Sequence, residues 1–219
     1  MVFYFSPRNH VEGSQDYLIY MGRDKYENED LIKYGLPCDL WFHVDDLSSA
    51  HVYLRLPEGA TMDDIPEDTL EDCAQLVKQN SIQGCKMNNV WIVYTPWANL
   101  KKTTGMEIGQ VGFHNEKAVK RVKVDKKVND IVNRLEKTRR EVANPDFAAE
   151  KEAYESQARQ QKRAEERAAR EAAKAQKEEN RRLAELKEYK TLMKEEHMVS
   201  NKEIASKYKS AEEFEDDFM

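Results

Sequence analysis

A tryptophan and two histidines in one short stretch are the side chains of this sequence best suited to chemistry. Trp41 and His43 are separated by one residue, and Ser49 and His51 follow after an acidic connection. Apolar and polar residues alternate around them, which predicts two strands and places Trp41 and His43 on one face of the sheet. An aromatic ring beside an imidazole, next to a loop of small hydroxyl residues, can stack on a base and contact phosphates. The same pattern is also typical of an ordinary packed sheet.

Two short basic segments add candidate phosphate contacts. Arg23 and Lys25 lie near the predicted start of a short helix, where side-chain charge and unpaired backbone amides favour an anion. Lys101 and Lys102 follow Trp97 in a loop and would extend the same groove. Two alternatives stay open. For the first segment, acidic neighbours would neutralise the bases. For the second, the indole would pack beneath the loop and the lysines would serve solubility.

Other chemistries find little support in the spacing of these residues. His43, Asp45 and His51 match no metal-ligand pattern. Ser49 has no nucleophile elbow or oxyanion feature around it, and the glycines at 105, 109 and 112 do not form a phosphate-binding fingerprint. We therefore expect a protein that is not an enzyme, with no metal and no cofactor.

The strands and helices expected around these side chains indicate an α+β fold. It has a mixed, mainly antiparallel sheet with packed helices, followed by a long charged C-terminal helix. The expected strands are Val2–Phe5, Tyr17–Met21, Leu40–Val44, His51–Leu56, Asn89–Thr95 and Val119–Val124. The expected helices are Glu29–Tyr34, capped by Asn28, then Glu67–Gln79 with Lys78 on its outer side, and a third over about Val124–Val142. Trp91 is expected to be buried in the fifth of these strands.

Composition changes along the chain and predicts four regions. Residues 1–126 form the α+β domain, 127–143 an amphipathic connecting helix, 144–198 a charged helix or coiled coil, and 199–219 an acidic disordered tail. The seam of the charged helix is mostly alanine, so self-association and a single solvated helix that binds a protein partner both stay open.

The overall charge and the cysteines restrict the partners and the compartment. A net charge of −6 requires that any contact with nucleic acid come from a local basic patch. The three cysteines have no paired spacing, the N-terminus does not resemble a signal peptide, and no apolar run reaches the length of a membrane span. We expect a reducing compartment, the cytoplasm with the nucleus as an alternative, and no transmembrane segment.

Four segments together resemble the C-terminal RNA-binding module of the NFACT proteins, which act on stalled large ribosomal subunits. They are GRDKYENEDLI, DLWFHVDDLSSAHVYLRL, VWIVYTPWANLKK and GQVGFH, in the family's order between about residues 1 and 126. The chain departs from the family's frequent Pro-Gly-Ser-His where it has Ser48-Ser49-Ala50-His51.

This resemblance implies non-catalytic binding of RNA, with tRNA or ribosomal RNA as the ligand and the ribosome or translation quality control as the setting. The expected contact residues are Arg23, Lys25, Trp41, His43, Ser49, His51, Lys101 and Lys102. Two alternatives remain: an adaptor that recruits a protein through its helix, and a DNA-binding protein acting near a membrane, since phosphate contacts alone do not distinguish RNA from DNA.

Overall fold

A seven-stranded antiparallel sheet forms the centre of the compact unit Met1–Gln157. The computed structural model describes residues 1–8, 17–143, 145–187, 202–203 and 206. The strands of the sheet, given in spatial order, are β8 (Lys120–Val124), β5 (Val90–Pro96), β3 (Asp39–Val44), β4 (Val52–Arg55), β2 (Leu18–Gly22), β1 (Val2–Phe5) and β9 (Arg140–Val142). A two-stranded hairpin, β6 (Leu100–Lys101) and β7 (Gly112–Phe113), lies outside it. The helices are α1 (Lys25–Tyr34), α2 (Glu67–Gln79), α3 (Asn129–Thr138) and α4 (Phe147–Lys187).

One face of the sheet carries the larger hydrophobic core. Alternate strand residues such as Phe42, Leu54 and Ile92 point to this face and are fully buried. They pack against α2 and α3, which contribute Leu76 and Leu135, both 0% exposed. A helical layer on an antiparallel sheet confirms the predicted α+β class.

The opposite face of the sheet, the aromatic face, carries a second core. Trp41, Tyr53 and Tyr20 lie side by side on neighbouring strands, and the rings of Tyr20 and Tyr53 stack with centroids 5.1 Å apart. Helix α1, the β6–β7 hairpin and the beginning of α4 cover this face, with Leu31, Phe113 and Phe147 in the cluster. The remaining area of this face, towards β5 and β8, lies beyond that layer.

Two local predictions around the helices were wrong. Helix α1 begins at Lys25 and not at Glu29, because the Asp24 carboxylate accepts hydrogen bonds from the amides of Tyr26 and Glu27. The predicted cap, Asn28, is buried inside the helix. Lys78, expected on the outside of α2, is 0% exposed: its stem is buried and its ammonium donates to the Met87 carbonyl oxygen at 2.5 Å.

The predicted connecting helix over 127–143 is shorter than expected. Helix α3 ends at Thr138, and Arg140–Val142 form strand β9, which pairs with β1. Pairing satisfies the edge of β1, where a longer helix would leave backbone groups unbonded. The compact unit that contains the sheet runs to Gln157 and includes the buried residues of α3.

The expected long charged helix is present as α4, which spans 41 residues and has no buried residue. Asp146 caps it by accepting from the amide of Ala149 at 3.0 Å, and Arg181 lies 3.7 Å from Glu185 one turn later. The second compact unit begins at Ala158. The end of the predicted helix, from residue 188, and nearly all of the predicted acidic tail lie outside the described residues.

Candidate nucleic-acid interface

Three rings meet on the aromatic face, where β3 and β4 run side by side. The Trp41 indole N–H donates to Nδ1 of His51 at 3.0 Å, and the Trp41 ring stacks on His43 with centroids 5.3 Å apart and planes inclined by 5°. Because Nδ1 of His51 accepts, its neutral ring carries the proton on Nε2. Trp41 and His51 are each 3% exposed, whereas His43 is partly exposed. The first two therefore support the surface, and His43 reaches it.

Both histidines are held neutral at pH 7. Burial, reinforced by the neighbouring His43 and by Lys102, lowers the pKa of His51 to about 3, although a hydrogen bond with the Gly109 backbone acts in the opposite direction. Burial also lowers the pKa of His43. Nδ1 of His43 lies 2.7 Å from the Val44 carbonyl oxygen, which can only accept. The neutral His43 ring consequently presents Nε2 as an acceptor.

Ser49 holds the loop between β3 and β4. Its Oγ accepts from the Val44 amide at 3.1 Å and donates to the Ala50 carbonyl oxygen at 3.1 Å. The same loop is tied to the end of α2, since Ser81 donates to the carbonyl oxygen of Ser48 at 2.7 Å. The hydroxyl of Ser49 thus stabilises the turn beside His43.

Three of the acidic residues near the bases at the start of α1 have other partners. Arg23 and Lys25 are exposed. Asp24 is bonded to the first amides of the helix, and Glu27 pairs with the N-terminal ammonium. Glu29 accepts from Lys102 at 2.7 Å and from the Gly109 amide at 2.6 Å. Within the described residues, no ion pair joins Arg23 or Lys25 to an acidic side chain.

The two lysines after Trp97 have different environments. Lys101 is exposed on β6. Lys102 donates to Glu29 and to the carbonyl oxygens of Glu107 and Gln110, at 2.7, 2.7 and 2.9 Å, which uses all three of its donors. Partial burial acts to raise the pKa of Glu29, but the bonds from Gly109 and Lys102 outweigh it and keep the pKa lowered. Lys102 thereby fastens the loop between β6 and β7 to α1.

The Trp97 indole packs beneath the loop, which is one of the two positions that the sequence left open. Its N–H donates to the Ile32 carbonyl oxygen at 2.9 Å, and the ammonium of Lys151 lies 4.5 Å from the ring centroid. A Cβ on Gly35 would meet the indole nitrogen at 2.2 Å, so the ring packs directly on that glycine. Trp97 joins α1 and the beginning of α4 beneath the loop.

Sequence reasoning missed Trp91, which was expected to be buried and is 49% exposed. It lies on β5 opposite Lys123 of β8, and Val93 lies opposite Arg121. Because residues in register point to the same face, these side chains share the part of the aromatic face that none of the described helices covers. The signal was available in β8, where Arg121 and Lys123 alternate with Val122 and Val124 and indicate a solvated face.

The described residues contain no group of three or more His, Cys, Asp or Glu side chains placed to hold a metal ion. Among the helices described, none is long and apolar enough to cross a membrane.

Comparison with known proteins identifies the relatives of the chain. A family model for the NFACT protein RNA binding domain matches residues 1–115. Coiled-coil domain-containing protein 25 of Danio rerio is 63% identical over 203 residues, which cover 93% of this chain and 96% of that protein. The homolog of that protein in Dictyostelium discoideum is 57% identical over 204 residues, covering 93% and 95%. The solved C-terminal structure of the fibronectin/fibrinogen-binding protein from Streptococcus suis aligns at a TM-score of 0.46 and 22% identity, over 58% of this chain and 52% of that chain.

The family match covers more than half of the chain, and the curated relatives are similar over nearly all of it. The matched region contains β1 to β7, with the three rings and both basic segments. These findings confirm the resemblance drawn from the four sequence segments. The chain belongs to the NFACT RNA-binding domain family.

Proposed function

We propose that this protein binds tRNA or ribosomal RNA, in association with the ribosome or with translation quality control, and has no catalytic step. The observation that carries the proposal is the arrangement around the start of α1. Arg23 and Lys25 are exposed, while Asp24, Glu27 and Glu29 are engaged with amides, the N-terminus and Lys102. Two exposed cations, with these three acidic neighbours bonded elsewhere, make a favourable position for phosphate.

The remaining candidate residues divide into contacts and supports. Lys101 is exposed and supplies a further phosphate contact. His43, with its neutral Nε2 as an acceptor, takes a hydrogen bond from a ribose 2′-hydroxyl, a group that RNA has and DNA lacks. Trp41, Ser49, His51 and Lys102 act from below by holding His43 and the loops in place.

The test compares RNA crosslinked to the protein in cells, sequenced for the wild type and for Arg23→Glu/Lys25→Glu. We expect reads concentrated on tRNA or ribosomal RNA in the wild type and absent in the variant. The control Lys33→Glu/Lys137→Glu makes the same change in charge at two exposed lysines elsewhere on the surface, and it should keep the reads. Wild-type reads at background level would overturn the proposal.

A competition experiment in vitro distinguishes RNA from DNA as the ligand. RNA and DNA oligonucleotides of one sequence are competed for the full-length protein at physiological salt, where non-specific attraction is weakened. Preference for RNA, reduced by His43→Phe, is the expected result. Equal affinity for the two would favour the DNA-binding alternative.

A second candidate function is recruitment of a protein by α4. Leu183 and Leu186 are 46% and 57% exposed on this helix, and such side chains pack when a partner helix is present. Leu183→Lys/Leu186→Lys tests this by affinity capture of partners. Loss of partners with RNA reads unchanged would assign an adaptor role to the helix.

A further inference from the structure

We infer that Trp91, Arg121 and Lys123 form a stacking platform for single-stranded RNA on the uncovered part of the sheet. This inference rests on the proposed function that the chain binds RNA, and it adds a site that includes none of the eight predicted contact residues. The exposure of the ring, the charge around it and its position in the sheet each support the platform.

Exposure of a large ring on a sheet calls for an explanation. Of the three tryptophans, Trp41 is buried and Trp97 is held by Ile32 and Lys151, whereas Trp91 is 49% exposed. The strand residues on both sides of it, Val90 and Ile92, point into the core, so the face that Trp91 occupies is fixed by the pleat. Its ring therefore remains in solvent without serving the core, which is the arrangement of a stacking surface.

The neighbours of Trp91 favour a polyanion over an apolar partner. Lys123 lies directly opposite Trp91, and Arg121 lies opposite Val93, with side chains 45% and 58% exposed. Arg121 pairs with Asp45 at 3.1 Å and Lys123 with Asp125 at 3.3 Å. Exposed pairs of this kind contribute little to stability, so a phosphate can replace the carboxylates at small cost. The ring therefore has two basic side chains on the neighbouring strand that a phosphate can reach.

Sheet geometry places the platform in line with the bases at the start of α1. Trp91 lies at the beginning of β5, and Arg23 follows the end of β2. Since β5, β3, β4 and β2 are consecutive and antiparallel, both positions lie at the same end of the sheet. Three strand spacings separate the two strands, a distance of about 14 Å. His43 lies between them on β3, so a short single strand can contact all three positions.

The experiment measures binding of an oligouridine of about ten nucleotides, which suits sites of this kind, to the full-length protein through its intrinsic fluorescence. Trp91→Ala should weaken binding on the order of 10-fold, the effect of losing one stacked base. Trp91→Phe should retain most of the affinity and lose the quenching of fluorescence that the wild type shows on binding. Arg121→Ala/Lys123→Ala should reduce the dependence of affinity on salt.

The matched control is Val128→Ala, which removes an exposed apolar side chain at the N-terminus of α3. It should bind as the wild type does. If Trp91→Ala binds as tightly as the wild type while Arg23→Glu/Lys25→Glu loses affinity, the platform is wrong and the proposed function stands. If the wild-type protein does not bind oligouridine, the platform is wrong, and the reads crosslinked in cells decide the proposed function separately.

Discussion

At the scale of single residues, burial decides which side chains contact a ligand and which support them. His51 has the expected residue type and position for a contact, yet it is 3% exposed and bonded to Trp41. This structural role has a consequence that can be measured through pH. Burial keeps the His51 ring neutral in the folded protein, whereas the same ring in the unfolded chain titrates near its ordinary value.

We predict that His51 makes the protein sensitive to acid. The folded pKa of about 3 lies below the ordinary 6.5, so the unfolded state binds more protons as the pH falls below about 6.5. The free energy of unfolding should therefore decrease towards pH 3, by on the order of 3–5 kcal/mol from this residue. Urea unfolding at several pH values measures the slope.

Two variants isolate this effect from the titration of carboxylates. His51→Asn keeps an acceptor for the Trp41 indole and should flatten the pH dependence, even if its stability at pH 7 is lower. His114→Asn changes an exposed histidine and should leave the slope unchanged. A slope in His51→Asn equal to that of the wild type would show that this ring does not titrate in the way proposed.

Residue type could be predicted from the sequence more readily than residue exposure. Alternation correctly placed Trp41 and His43 on one face, because the period of a strand is fixed by its pleat. It could not show that the β6–β7 hairpin covers His51 and leaves Trp91 open, because that depends on contacts between distant segments. The environment of Lys102 also depends on such contacts. Its three hydrogen-bond acceptors belong to α1 and to the loop between β6 and β7.

At the scale of elements, the loop between β6 and β7 is positioned by Lys102. We predict that Lys102→Met loosens this loop with little change in the rest of the fold. The variant loses three hydrogen bonds from one ammonium group, and bonds from charged donors are among the stronger ones. Amide hydrogen exchange of Gly109 should accelerate on the order of 10-fold or more, because local opening becomes easier.

Lys101→Met is the matched control, since it removes the adjacent exposed lysine of the same hairpin. Its exchange at Gly109 should equal that of the wild type, while its affinity for RNA should fall if Lys101 contacts phosphate. Unchanged exchange in Lys102→Met would mean that Glu29 alone holds the loop through the amide of Gly109.

Elements defined by local signals were predicted well, and those defined by distant pairing were not. Helix α2 has the predicted bounds, Glu67–Gln79, because its apolar spacing and acidic first turn are local features. Strand β9 was taken for helix, since only its pairing with β1, at the other end of the domain, selects the extended form. The start of α1 was misplaced because Asp24 and Asn28 are both good caps, and the tertiary fold selects the former.

At the scale of the whole molecule, positive charge is concentrated outside the sheet domain although the chain is acidic overall. Residues 158–187 contain ten basic and six acidic side chains, in a chain whose net charge is −6. All of them lie on α4 beyond the compact unit that ends at Gln157. A helix of this composition attracts a polyanion in a manner that depends strongly on salt.

We predict that truncation after Gln157 preserves the fold and the site but reduces the salt dependence of RNA binding. The core is complete by Gln157, so thermal unfolding should occur at nearly the same temperature. For every phosphate that α4 neutralises in the full chain, its removal should lower the slope of log affinity against log salt by about 0.7 for a single strand. Arg163→Gln/Arg167→Gln/Arg170→Gln in the full chain should reproduce a part of this change without any truncation. Equal slopes for all three proteins would assign RNA binding to the sheet domain alone and leave α4 to a protein partner.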